Sequence, residues 1–270
     1  MTIASIAGII AWRRPIVAVA WNPGQEASLR GWWDMSNPNS FTPGSGGNWA
    51  ARYGGAVLVP AGAGPGPSKI TNGQDGNNQH SLSFTGMSQT ALRWNNPNFS
   101  QCIALMVYRY TVIGAGVAPD PWYRPTYGVG VQGWVNFEWG GGFGITHRGR
   151  SASDYNPSVM ETALALVLHS DARLVLRRNG TELFNDGTSA TGTVIPASEG
   201  LEIFPPYPGG ATNFTAQLAC VAFFDASGWS NLLAQKIEGF ICHQGIGGLT
   251  TAKLPAGHPY KLSAPTKALQ

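Results

Sequence analysis

Hydrolysis of a glycosidic bond needs two carboxyl groups placed across it, and no stretch of this chain supplies such a pair. The best-placed acids, Glu138 in "NFEWGG" and Glu202 in "LEIFPP", stand alone in their segments. Trp134 and Trp139 flank Glu138 in a way that suits a pocket, yet an ordinary polar position on a glycine-rich strand is the expected reading. Nucleophilic catalysis lacks support: there is no Gly-x-Ser-x-Gly, and Cys242-His243 is a sequential pair. On a helix, neighbours point about 100° apart, so the two do not act together. Cys242 is expected beside an apolar stripe, and the spacing offers His258 no partner. The expectation is a protein that is not an enzyme.

Metal chemistry is only slightly better represented. "TNGQDGNNQH" (71–80) is rich in the oxygen ligands that suit calcium, with Asp75 and Asn77 the candidates and Asp186 a poorer one. It lacks the alternating acids of an EF-hand, and a turn-rich loop solvated by amides is the preferred reading. His80, His147, His169, His243 and His258 show no metal-ligand spacing. No cofactor is expected, calcium being the one option kept open.

Sugar binding asks for aromatic faces beside amides and hydroxyls. Trp122, Tyr123 and Tyr127 lie in the Pro-rich "PDPWYRPTYG", and Trp94 precedes Asn95 and Asn96. These residues either stack on a glycan or cover a sheet edge against a neighbouring subunit; the sequence leaves both open.

Composition limits the partners. Charged residues make up 11% of the 270, under half the ~25% of ordinary soluble domains. So few charges suggest an uncharged polar surface or one covered by other subunits. A net charge of +3 from scattered basic residues excludes nucleic acid as an expected partner. Glycine (36) and proline (19) are spread along the chain as turn signals, which favours many short strands. Cys102, Cys220 and Cys242 have no CxxC spacing, and buried thiols are preferred over a single bridge.

The opening "MTIASIAGIIAWRRPIVAVAW" has an apolar run too short for the ~20 residues of a membrane span. Its arginines follow that run, whereas a secretory signal carries them before it. Residues 1–26 are therefore expected to form an extended arm docked on a partner through Ile9, Ile10, Trp12, Arg13, Arg14, Ile16, Val17 and Trp21.

The elements that must position any site are mostly strands. "HSLSFTG" alternates Ser81 and Ser83 with Leu82 and Phe84, the mark of a half-buried strand. "SQCIALMVYRYTVIG" (100–114) is β-branched and aromatic throughout and reads as a central strand buried on both faces. Asn179-Gly180, between two strand-like runs, suits a type I′ hairpin. One helix stands out, "SNLLAQKIEGFICHQ": Leu233, Ala234, Ile237, Phe240 and Ile241 share a stripe, and Gln235, Lys236 and Glu238 are expected to point elsewhere. Ser230 can cap its start and Gly245 end it. This helix is expected to seal one open end of a β-sandwich.

Several stretches together resemble the concanavalin A-like, laminin-G-like jelly-roll domains, over about residues 27–265. "SLRGWWDMSNPNSF", with Trp33 and Asp34, is similar to their opening strand and turn, and "HSLSFTG" to their Leu-x-Phe-x-Gly strand. "LVLRRNGTEL" resembles the ligand-side hairpin, and "FTAQLACVAFFDA" through "KIEGFICHQ" resembles the strand followed by a helix. The ending "LPAGHPYK" is the most specific piece; with that helix it is similar to jelly-roll domains of bacteriophage virion proteins and some bacterial surface proteins. The resemblance implies an all-β jelly-roll sandwich with an N-terminal arm (1–26), one C-terminal helix and a short tail (266–270). The enzymes of this fold usually carry alternating acids on one strand, Glu-x-Asp-x-x-Glu, and that pattern is missing here. The implied role is a virion structural protein of capsid or tail, displayed on the particle surface. It would contact other virion proteins and copies of itself, with host glycan as a further ligand. The alternative is a carbohydrate-binding adhesion module of a bacterial surface protein.

Overall fold

In a computed structural model of the chain, the described residues are 19–43, 47–61, 66–72, 79–85, 92–95, 97, 101–113, 118–123, 133–138, 142–147, 150–154, 162–170, 173–186, 201–203 and 214–267. They form two antiparallel sheets and one α-helix.

The first sheet is built around two strands of twelve residues, β8 (Cys102–Ile113) and β17 (Phe214–Asp225), paired along their length. Beyond β8 come β13 (Ala163–His169), β14 (Leu174–Arg178) and β15 (Thr181–Asp186). On the other side of β17, β6 (Gln79–Thr85) takes its first half and β1 (Leu29–Asp34) its second, with β5 (Ser68–Asn72) outside β6. The second sheet runs in the order β12 (Arg150–Asp154), β11 (Gly142–His147), β10 (Gly133–Glu138), β9 (Ala118–Tyr123), β16 (Leu201–Ile203), β7 (Leu92–Trp94), β4 (Val57–Pro60), β3 (Asn48–Ala50) and β2 (Phe41–Thr42).

Strand alternation explains the layers. On β8, Ala104, Met106 and Tyr108 face the second sheet, while Ile103, Leu105 and Val107 face the opposite way into a separate core. The adjacent Trp32 and Trp33 do the same from β1: both are fully buried, one indole on each side of the sheet. A strand can be apolar on both faces only if both are covered. The cover on the outer face is α1 (Asn231–Gln244), whose Leu233, Ala234, Ile237, Phe240 and Ile241 pack on Trp32, Leu105, Leu166 and Phe224. The helix therefore lies over a face of the first sheet rather than sealing an end, because the residues that its stripe matches are the outward-facing set of β1, β8, β13 and β17. Each of the larger side chains among them contributes about 1.5–3 kcal/mol relative to exposure.

Local chemistry sets the helix limits. The Ser230 side chain accepts from the Leu233 N–H at 3.0 Å, and Gly245 stops the helix in the left-handed region at φ 65°. A bulge between Leu218 and Cys220 turns Ala219 outward beside Cys220. The tip of the β14–β15 hairpin has Asn179 at φ 49° and Gly180 at φ 83°, as a type I′ turn requires.

Candidate functional site

Among the described residues, one set of ionisable groups is buried together. Arg177 on β14 donates from Nε to Oε1 of Glu238 at 2.8 Å, and from Nη2 to Oε2 at 3.0 Å. His258 reaches the same Oε2 from Nε2 at 3.1 Å. The Tyr260 backbone N–H donates to His258 Nδ1 at 3.2 Å, so the ring proton sits on Nε2, facing the carboxylate. Arg177 also donates to the Gly180 carbonyl at 3.0 Å. All three residues are buried, and the pair is balanced in charge. Two expectations are corrected here. Glu238 does not point away from the sheet but is fully buried on it, and His258 has a partner 20 residues away that spacing along the chain does not reveal. With all three side chains buried, the chemistry of the cluster is that of a clamp. It joins the Asn-Gly hairpin, the helix and the "LPAGHPYK" tail. Close approach tightens the joint: a Cβ on Gly180 would lie 2.8 Å from Pro255 Cδ, and one on Gly239 would lie 2.5 Å from Tyr260 Cβ.

A second buried carboxylate, Asp34, accepts from Trp32 Nε1 at 2.7 Å, from the Ser36 backbone N–H and side chain, and from Arg52 at 3.2 Å. With every lone pair engaged, it fixes the turn after β1. The three cysteines are free thiols. Burial, with the nearby Glu238 carboxylate, pushes the Cys242 thiol up to about 12. Burial, then Asp34, pushes Cys220 well up too. Neither is a nucleophile at neutral pH.

The residues singled out for sugar or partner binding fall out differently. Trp94 is in the core between the sheets, 5.1 Å edge-to-face from Trp33 and 5.9 Å from Phe223; a stacking platform for sugar it is not, because alternation on β7 sends it inward with Leu92. Asn95 just beyond is exposed. Trp122 and Tyr123 end β9, in register with Ile203 and Glu202; their side chains, and Tyr127, lie outside the described residues, as do Asp75 and Asn77. Glu202 is buried and ion-paired with Arg93 across the β7–β16 register. Among the described residues no group of three or more His, Cys, Asp and Glu is placed to hold a metal ion. Of the eight arm residues named as partner contacts, Trp21 alone is described. It is buried on its own domain, 5.8 Å edge-to-face from Phe240 and bonded from Nε1 to Glu26 at 2.6 Å. Its backbone N–H donates to the Pro265 carbonyl. Trp21 is thus an intramolecular anchor rather than a partner contact, since the helix face offers it an apolar seat.

What sequence reasoning missed lies on the outer face of the first sheet, beside the end of the helix. The apolar half of that face is covered by α1 and the tail. The remainder, on β6, β8 and β17, presents Ser81, Ser83, Thr85, Arg109, Thr111, Thr215 and Gln217, of which only Ser81 is buried. Arg109 and Gln217 are directly opposite each other, and Ser83 lies across from Gln217 on the other side. At the boundary sits a shallow dimple of about 10 Å³, room for a single water, with Ser81, Arg109, Thr162 and Gln217 as its polar lining. Val107, Ala219 and Gly247 form its apolar wall; a Cβ on Gly247 would lie 2.7 Å from Val107 Cγ1. Ser81 Oγ, Arg109 Nε and Gln217 Oε1 are each buried without a hydrogen-bond partner. Orphan buried polar atoms cost about 1–3 kcal/mol each unless an ordered water meets them, and the dimple has the volume of one water. The signal available in the sequence was the serine alternation of "HSLSF" and the lone arginine within "MVYRYTV".

No family model matches the chain, and no curated protein matches it. Solved structures do. Trypanosoma rangeli sialidase in complex with sialic acid aligns with TM-score 0.54 at 13% identity, over 79% of this chain and 35% of that one. The binding domain of Paraclostridial Mosquitocidal Protein 1 aligns at 0.53 with 10% identity, over 78% and 52%. The binding domain of Botulinum neurotoxin DC, in complex with rat synaptotagmin II, aligns at 0.52 with 9% identity, over 78% and 51%. The chain thus spans about a third to a half of these chains. At such identities the likeness is one of fold: a mostly β, two-sheet architecture with antiparallel strands.

Proposed function

We propose that this chain is a carbohydrate-binding β-sandwich of the concanavalin A-like jelly-roll kind. The observation that carries the reading is the divided outer face of the first sheet. Its uncovered half is lined by hydroxyl, amide and guanidinium groups on β6, β8 and β17. Hydroxyl-rich ligands satisfy such a surface, whereas an apolar partner would leave it unpaired. The fold likeness to two toxin binding domains and to a sialidase solved with sialic acid supports a recognition role without naming the ligand. Three of the described acids, Asp34, Glu202 and Glu238, are each buried in an ion pair. A glycan array probed with the full chain is expected to give a coherent set of hits; a clean negative overturns the reading.

A virion setting belongs to the same proposal and rests on the resemblance of "KIEGFICHQ" and "LPAGHPYK" and on the low charge. In it, residues before Trp21 anchor the domain to other virion proteins. Trp21 holds the domain together, so the test is deletion of residues 1–18 only. Loss of incorporation into particles by a chain that still folds supports the arm; normal incorporation removes it.

A further inference from the structure

We infer that His258 is an acid-sensitive latch: on taking up a second proton its ring lets go of the Tyr260 turn and frees the tail beyond it (259–267), together with residues 19–21, which that tail holds. The inference is independent of the ligand reading above and concerns how the two ends of the domain are kept down.

Little else fastens this part of the chain. Of residues 255–267 only His258 and Pro265 are buried. The Tyr260 backbone N–H donates to His258 Nδ1 at 3.2 Å. That bond keeps Tyr260 on the helix, so close that a Cβ on Gly239 would lie 2.5 Å from its own Cβ. Further along, the Pro265 carbonyl accepts from the Trp21 N–H at 3.0 Å, and the Lys267 N–H donates to the Val19 carbonyl at 2.8 Å. The tail is thus the strand partner of the segment where residues 1–18 join the domain, with Ala20 bridged to Thr266.

The ring has no free position for another proton. Nε2 donates to Glu238 Oε2 at 3.1 Å, so a second proton goes to Nδ1. There it displaces the Tyr260 N–H, because two donors then face each other. Charge does not favour the imidazolium either. Arg177 already takes both oxygens of Glu238, at 2.8 and 3.0 Å, and Glu182 pairs with Arg177 from the rim at 3.5 Å. A new cation would enter a buried site whose near carboxylate is taken. The other titratable neighbours keep their charge or their bond. Burial holds the protons of the Tyr260 hydroxyl and of the Cys242 thiol, the latter up to about 12, and Lys261 donates to the Leu254 carbonyl. His243 bonds the Tyr260 carbonyl through Nε2 at 2.9 Å, a contact that a second proton on its ring leaves in place. The latched tail therefore binds one proton fewer than the released one, and acid favours release.

The test follows the full chain by NMR between pH 8 and 5, reading the His258 ring signals and hydrogen exchange at the amides of Tyr260, Trp21 and Lys267. As the pH falls through the ordinary histidine range, about 6.5, protection at these three amides is expected to drop together. The drop should reach up to about tenfold per pH unit after correction for intrinsic exchange, one proton being taken up per opening. The helix amides of Ile237 and Ile241 should keep their protection. His258→Gln still offers an N–H to Glu238 but takes up no proton, so its tail exchange should lose the pH dependence. Equal protection of Tyr260 at pH 8 and pH 5 would overturn the inference, as would protection that survives while the His258 ring takes up its proton. A pH dependence that persists in His258→Gln would move the effect to Glu238, and loss of helix and tail protection together would make it general acid unfolding; either sinks the latch. The wild-type measurement decides alone if His258→Gln does not fold.

Discussion

Replacing Glu238 by leucine tests whether the buried clamp holds the C-terminal third of the domain together. The substitution removes two charge-assisted bonds from Arg177, at 2.8 and 3.0 Å, and one from His258 at 3.1 Å. Arg177 keeps the Gly180 carbonyl and an ion pair with Glu182 at 3.5 Å, and that longer, rim-exposed pair offsets only part of the charge on a guanidinium that is 7% exposed. Removing one partner of a buried pair costs about 3–5 kcal/mol, chiefly because the other charge is stranded. With a urea m-value of ~3 kcal/mol/M, the unfolding midpoint should fall by roughly 1–1.5 M. The same reasoning requires that Arg177→Met, Glu238→Leu and His258→Phe made together cost less than Glu238→Leu alone, since no charge is then left behind. A midpoint loss below ~0.3 M for the single variant, or a triple variant weaker than the single one, would refute the stranded-charge argument.

Trp94→Ala should destabilise by about 3–5 kcal/mol, as loss of a core aromatic does, while Asn95→Ala stays within about 0.5 kcal/mol; thermal unfolding of both separates core from surface at this pair. Gly180→Ala places a Cβ at φ 83° and 2.8 Å from Pro255 Cδ, so it should free the tail as well as strain the turn, read as faster proteolysis after residue 250. The Cys242 thiol holds its proton up to about 12, against an ordinary 9.0. Between these values the unfolded chain loses a proton that the folded one keeps. Its contribution to stability is therefore full below pH 9 and lost progressively as pH rises towards 12, with a slope of at most ~1.4 kcal/mol per pH unit; urea unfolding at pH 8 and 10.5 checks the sign. Native protein at pH 8 should also leave Cys220 and Cys242 unmodified by a thiol reagent that labels them in urea.

Where local periodicity was strong, sequence and structure agree for a physical reason. Leu82 and Phe84 face the core because alternation along a strand leaves them no other face. The helix stripe, its Ser230 cap and its Gly245 stop are local chemistry, as is the Asn179-Gly180 turn. Short strands such as Asn48–Ala50 and Ser68–Asn72 sit in segments that read as loop, because ladder bonds to β4 and β6 hold them and composition does not record those partners. Trp94 looked like a surface aromatic because a three-residue strand is too short to show its parity.

The sequence by itself determined the all-β character, the one helix with its limits, the doubly buried central strand and the poverty of catalytic acids. All of these follow from side-chain periodicity and residue type within a few positions. Only the tertiary structure decided what the chemistry-bearing residues do. Arg177, Glu238 and His258 are 61 and 20 residues apart along the chain, and they meet because the helix and tail fold back onto the hairpin. Ser81, Arg109 and Gln217 come together because three strands lie side by side in one sheet. Charge balance is a property of neighbours in space, and it is this that makes the first cluster a clamp.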